Sequence, residues 1–518
     1  MLATGAESTL DKYYSDIIFS LQSSVLDPFP DLNIEACNIL VQLLRIPHWQ
    51  QGARYFATGL ARSALSICRH RNSNVIIAAI NLFEASVCVP DNAKVKGAGT
   101  AAIANLVGYQ ADNVSNFSHI FPIAVLVDIR SEKVTLCMFV QVLPIAAFYD
   151  SKYNVSVNTL AELAIHKNHR VRLRCCEMLS YFLVYLPDRY DHQPRLLPYV
   201  LSFVSDDMPD IQRAAFDCIE KCGLQYECEH PDDIIERRQF GVDGDDTIDY
   251  DSNLPMPFLQ RPSLGARLFV RANTCRIFLA VLSELSNWRE QTRKRSAELL
   301  LILTVYCEEH LTKDFHHTVA SIAKALEKSF RTEHDHLNIL HTIQQVLRLM
   351  AKYIDPAIYM PLMCPRISGD SSSATSNSED GCRSERSRSI HATMLKSLIE
   401  GAPMRRLLFH WVSLASLLTH ADCIGSYVGT RTRQECLSAY HCLIVKSVSD
   451  VGCGVEAFIS HFANKEGEVA NLRYVLSSSG RALIEIRNDN PIGEDAKIAQ
   501  ECIDGQSKIL AALSRSEV

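Results

Sequence analysis

The sequence predicts an all-α fold, an α-α superhelix of stacked helical hairpins, from three observations. Apolar residues recur at helical spacing in neighbouring segments, the paired segments repeat at steps near 40 residues, and no stretch sustains the alternation of a strand.

The elements follow in chain order. DPFPDLNIEACNILVQLL places Ile34, Cys37, Val41 and Leu44 on one helical face, and HRNSNVIIAAINLFEA does the same with Val75, Ala78, Ala79, Leu82 and Phe83. SEKVTLCMFVQVLPI supplies a copy beginning at Val134, and LAELAIHKNHRVRLRCCEMLSYFL another, with Val171, Cys175, Met178, Leu179 and Phe182 as its stripe and Asn168 at its turn. In LLPYVLSFVSDDMPDIQRAAFDCIEKCG the stripe is Ile211, Ala214, Ala215, Cys218, Ile219 and Cys222. Asp207 and Asp210 flank Pro209 at the bend, where a carboxylate caps free amides and proline suits the opening turn.

The first apolar residues of these second helices, Ile34, Val75, Val134, Val171 and Ile211, are separated by steps of 41, 59, 37 and 40 residues. Paired helices at that period are the mark of HEAT or armadillo arrays. The long step contains PDNAKVKGAGT, and the step of 81 to Thr292 contains ECEHPDDIIERRQFGVDGDDTIDYDSN, after which LGARLFVRANTCRIFLAVLSEL resumes the helical pattern. A further pair is expected at DFHHTVASIAKALEKSF and HLNILHTIQQVLRLMAKYI, then more helices at LLFHWVSLASLLTHA and ECLSAYHCLIVKSV. The expected organisation is 1–226 repeats, 227–260 a solvated, mobile acidic insertion loop, 261–364 further repeats, 365–390 a serine-rich disordered linker, and 391–518 a C-terminal helical region. Stacked hairpins bury one another's stripes, so the expected product is a curved rod with a long inner surface for other proteins.

Composition agrees with a large buried core: of 518 residues, 47% are hydrophobic and 21% charged. A net charge of −7 offers no general attraction to a phosphate backbone or an anionic membrane. MLATGAESTLDKYYSD has neither a basic leader nor an apolar run, so the expected address is the cytoplasm. The sequons at Asn113, Asn116 and Asn154 would then be idle, and the 18 cysteines are expected to be small buried hydrophobes rather than disulfides.

Chemical motifs find little foothold. GAGTAA from Gly97 has a nucleotide-loop spacing but no buried strand before it. Cys218, Cys222, Cys228 and His230 include zinc-ligand types, yet the first two belong to a core stripe and no Cys-x-x-Cys knuckle is present. His316, His317, His334 and His336 decorate helix starts. Asp243, Asp245, Asp246, Asp249 and Asp251 lack the glycine and final glutamate that a calcium loop places. No nucleophile elbow, His-Glu-x-x-His or Walker loop occurs, so neither catalysis nor a cofactor or metal is expected.

Two basic clusters are candidate partner-binding residues: Arg170, Arg172 and Arg174, and Arg293, Lys294 and Arg295. They would grip acidic partner helices along the groove, or bond the turn carboxylates of adjacent repeats. Glu35, Ile76, Thr135 and Gln212 stand at the positions equivalent to Arg172, so no arginine ladder is expected.

Three stretches carry a family pattern: SSVLDPFPDLNIEAC, LPDRYDHQPRLLPYVLSFVSDDMPDIQRAA with CGLQY, and RPSLGARLFVRAN leading to NWREQTRKRSAELLLILTVYCEEH. The last includes Arg261, Pro262, Leu264, Gly265, Arg267, Trp288, Arg293, Ser296, Ala297, Leu299, Leu300 and Glu308. From about residue 24 to about 330 the chain resembles the HEAT-repeat family of dynein axonemal assembly factor 5, whose members are usually longer. The resemblance implies a scaffold or co-chaperone without chemistry of its own. Its implied partners are axonemal dynein chains, heavy or intermediate, with other assembly factors or chaperones, and neither nucleic acid nor membrane. The residues alone also allow a transport or phosphatase-scaffold solenoid, or an RNA-binding helical repeat suggested by the arginines and RSERSRS. Pro262 and Gly265 are expected to end the acidic insertion and start a helix, with Trp288 packed beneath the next turn.

Overall fold

The computed structural model describes residues 11–46, 50–88, 159–186, 189–239, 248–287, 290–329, 336–369, 385–449, 454–463, 467–489 and 491–515. Among these the chain is helical with no strand, an all-α fold of stacked hairpins. It divides into two units: Met1–Ile234 with Ser263–Val281, and Ile235–Pro262 with Leu282–Val518. The copy expected at Val134, the sequons, Gly97, His334 and Trp288 lie outside the described residues.

In the first unit α1 (Tyr14–Val25) pairs with α2 (Pro30–Arg45), and α3 (Gln50–Ile67) with α4 (Ser73–Val87). α5 (Thr159–Ala164) pairs with α6 (His169–Tyr185), and α7 (Arg189–Phe203) with α8 (Pro209–Glu229). The second helices stack in one layer, α2 on α4, α4 on α6 and α6 on α8, while α1 packs on α3 and α5 on α7. The predicted stripes are the core: Val75, Leu82, Val171, Cys175, Phe182 and Ile219 are buried, with only Ile34 and Ala214 partly exposed. Phe83 meets Phe182 edge to face at 6.3 Å, tying α4 directly to α6.

The hairpin turns are built alike. Asn72 Oδ1 accepts from Asn74 N and Asn168 Oδ1 from Arg170 N, each at a helix start. One step earlier, Asn72 N and Asn168 N donate to the Nδ1 atoms of His70 and His166. At α8 the outcome differs from the expected cap. Met208 caps without a side-chain bond, and neither Asp207 nor Asp210 takes the role; Asp206 Oδ1 accepts from Met208 N at 3.0 Å, because the αR-incompatible residue before Pro209 faces that carboxylate.

α9 (Pro231–Gln239) follows, and Ile234 packs against Leu264 and Leu268 of α10 (Leu264–Glu284). In the second unit α11 (Glu290–Cys307), α13 (His336–Tyr353), α15 (Glu385–Gly401), α17 (Thr430–Val448) and α20 (Glu494–Arg515) stack in succession. α12 (Phe315–Ser329), α14 (Pro356–Ser368), α16 (Trp411–Leu418) and α19 (Glu468–Asp489) flank them, with α18 (Val455–Ala463) against α19 and α20. Trp411 is fully buried between Phe458 and Phe462, its indole N–H donating to Ser447 Oγ at 2.9 Å.

Two expected boundaries change. The acidic loop of 227–260 is helical as far as Gln239, and residues 248–262 are not a solvated loop but an irregular strap packed on the second unit's helices. Phe258 meets Tyr306 edge to face at 5.6 Å, Tyr250 stacks on Tyr353 at 6.0 Å, and Lys352 Nζ donates to Ser252 O at 2.7 Å. Aromatic and cationic partners far along the chain outweigh the local acidity. Of the expected linker 365–390, residues up to Ser368 belong to α14 and those from Glu385 to α15, while 370–384 lie outside the described residues.

Candidate functional site

The arginine cluster of α6 does three different things within one turn. Arg172 is buried, its Nε and Nη2 donating to the two carboxylate oxygens of Asp206 at 2.8 and 2.9 Å, with Nη2 also reaching Asp207. Its Nη1 bonds His166 O at 2.8 Å. The hydrogen bond to Asp206 holds the guanidinium pKa above its ordinary value against the opposing effect of burial. Arg174 reaches the other way, to Asn81 Oδ1 and to Glu84 Oε2 at 2.7 Å on α4. Arg170 alone is exposed. Two of the three expected partner-binding arginines thus clamp neighbouring repeats, and their cationic heads are taken by protein carboxylates.

The second cluster divides similarly. Arg293 is buried and its Nη1 donates to Asn287 O at 3.0 Å, whereas Lys294 is exposed and lies 3.9 Å from Glu298 one turn on. Arg295 is half-buried. Neither cluster forms a continuous cationic face.

The RPSLGAR block supplies two close contacts, one in each unit. In the second, Arg261 holds Glu308 through both carboxylate oxygens, at 2.7 and 2.6 Å, and its guanidinium lies 3.6 Å from the Tyr250 ring centroid. The Glu308 side chain is fully buried, and its backbone sits at φ 48°, where a non-glycine residue is strained. The Arg261 backbone N–H donates to Asp251 Oδ1 at 2.7 Å, so one arginine fixes both ends of the strap's last turn.

In the first unit Gly265 does not serve mainly to start a helix. A Cβ there would fall 2.3 Å from Gly223 O, and one on Gly223 would fall 2.3 Å from Ala266 N. The two glycines let α8 and α10 touch backbone to backbone, and Glu227 Oε1 accepts from Gly265 N at 3.0 Å. Pro262 and Arg267 are buried.

The thiols of Cys37, Cys68 and Cys502 are poor nucleophiles, since burial pushes them up to about 12. Cys218 and Cys222 lie in the core while Cys228 is exposed, and no grouping of three metal-ligating side chains occurs among the described residues. Among those residues no helix is long and apolar enough to cross a membrane. The surface also presents apolar side chains: Tyr181 and Tyr185 are exposed with rings 5.0 Å apart on α6, and Met256 and Leu259 stand 75% and 86% exposed on the strap. Sequence reading passed over these, and over His70 and His166, whose signal was the echo of HRNSNV in HKNHRV.

Two family models match the chain. The HEAT-repeat domain of dynein axonemal assembly factor 5 covers residues 253–459, and the TPR repeats of dynein axonemal assembly factor 5-like proteins cover 140–237. The first runs well past the point near 330 where the resemblance of individual motifs ends. Proteins named dynein axonemal assembly factor 5 align as well. The Xenopus laevis protein is 24% identical over 271 residues, 52% of this chain and 28% of its own. The Mus musculus protein is 24% identical over 261 residues, 50% and 27%, and the Homo sapiens protein 22% identical over 286 residues, 55% and 30%. The matched stretch spans less than a third of each relative's length. The crystal structure of Kap121p aligns with 96% of this chain and 44% of its own at 13% identity, and a TM-score of 0.25 is too low to carry an argument. Gly223 lies in the stretch that the second model matches, and Arg261, Gly265 and Glu308 lie in the stretch that the first matches. The chain belongs to the dynein axonemal assembly factor 5 family of helical-repeat proteins.

Proposed function

We propose that this chain is a non-catalytic HEAT-repeat scaffold that helps preassemble axonemal dynein arm complexes in the cytoplasm, for the motility of cilia or flagella. The observation that carries the reading is the match of two models of one assembly-factor family to residues 140–237 and 253–459. The geometry supports it from another side: Arg172 and Arg174 are spent on holding neighbouring helices together, and burial keeps the Cys68 thiol protonated. Such an array recognises other proteins through its exposed side chains. Its partners in this reading are dynein heavy or intermediate chains, together with other assembly factors or chaperones.

Affinity purification of the tagged full chain from ciliated cells tests this. Recovery of axonemal dynein chains from the cytoplasmic fraction is the expected result. Recovery of nuclear transport factors or phosphatase subunits without dynein chains would overturn it.

A further inference from the structure

Within the second unit, strap residues 248–255 and the C-terminal ends of α13, α15 and α17 enclose a cavity of about 900 Å³. Its wall carries Arg348, Lys352, Arg405 and Lys446 against only two carboxylates, Asp249 and Glu400. That excess of positive charge stands out in a chain of net charge −7.

Most of the wall is already committed. Arg348 is bound to Glu400, and Lys352 gives its ammonium to Ser252 O with Asp249 and Asp251 near enough to support its charge. Lys446 Nζ donates to Ile399 O and Ala402 O at 2.9 and 2.7 Å, closing the end of α15. Arg405 is different, exposed and without a carboxylate at ion-pair distance among the described residues. The floor is rigid. A Cβ on Gly401 would fall 1.9 Å from Arg348 O, so the ends of α13 and α15 are held at one spacing.

The strap also displays the chemistry that this wall accepts, an irregular backbone offering carbonyl oxygens and flanking aspartates to cationic side chains. We propose that the cavity is a docking site for an extended acidic segment of a protein partner, lying beside residues 248–255 and pairing a carboxylate with Arg405. The inference goes beyond the scaffold reading and does not depend on which protein supplies the segment.

The test is fluorescence anisotropy of a fluorescein-labelled octaglutamate peptide against the full-length chain. The comparison uses Arg405→Glu, Arg405→Gln, and Lys508→Glu on the exposed face of α20, which changes the net charge as Arg405→Glu does. Octaglutamate is expected to bind, with Kd raised about tenfold by Arg405→Glu, about threefold by Arg405→Gln and unchanged by Lys508→Glu. Unaltered far-ultraviolet circular dichroism and melting temperature check that each variant is folded. The proposal is overturned by no binding of octaglutamate, by equal weakening in Arg405→Glu and Lys508→Glu, or by equal binding of octaglutamine.

Discussion

Arg172 shows how a single side chain does the work of an interface inside this fold. Its partners differ sharply in exposure: the Asp206 side chain is 8% exposed and that of Asp207 79%. Arg172→Ala strands the buried Asp206 carboxylate and should cost about 3–5 kcal/mol in urea unfolding. Asp207→Asn removes only a solvent-screened partner and should cost at most about 1 kcal/mol. Similar losses from the two variants would show that the Asp206 pairing is not what matters. Lys446 offers a pH readout. Burial pulls its pKa down to about 8 from the ordinary 10.5. The folded chain therefore gives up a proton between about pH 8 and 10.5 that the unfolded chain keeps, so stability from this site rises as pH climbs through that window. Unfolding free energies of the native chain minus those of Lys446→Met should increase from pH 8 to pH 10.5; a flat difference would refute the assignment.

At the scale of elements, helix-to-helix distance is set by what does not protrude. Gly223 and Gly265 place α8 and α10 in backbone contact, and the only relief for a methyl group there is to move a helix. Gly265→Ala is expected to destabilise the chain by at least about 1–3 kcal/mol. Gly59, inside α3, has as its nearest neighbour the flexible end of Gln22 at 3.3 Å, so Gly59→Ala should stay within about 1 kcal/mol of neutral, as helix propensity offsets the small readjustment. Thermal melts of the two variants make the comparison; equal shifts would remove the special status of the α8–α10 crossing. The strap is held by the same logic at longer range, with Arg261 joining two residues, Tyr250 and Glu308, that belong to no common element.

The whole molecule adds a dependence that neither residues nor helices display. The first unit takes its last helix from beyond the strap, since Ser263–Val281 belongs with Met1–Ile234. A fragment ending at residue 281 keeps the α8–α10 contact and the cluster of Ile234, Leu264 and Leu268, whereas one ending at 234 loses both. The shorter fragment should melt at a lower temperature by circular dichroism, and equal melting would show that α10 adds nothing to the unit. By itself the sequence determined the helical class and, in α2, α4, α6 and α8, the identity of the buried stripes, because these are properties of apolar spacing within a turn or two. Motif resemblance also marked Arg261, Gly265 and Glu308 as belonging together in a family pattern, without saying how. Tertiary structure alone decided that α4 stacks on α6, that the acidic strap is folded rather than free, and that Arg172 and Arg174 are clamps. Each of those outcomes is a contact between groups roughly 35 to 100 positions apart, and local periodicity carries no information on which distant charge or ring will be the neighbour.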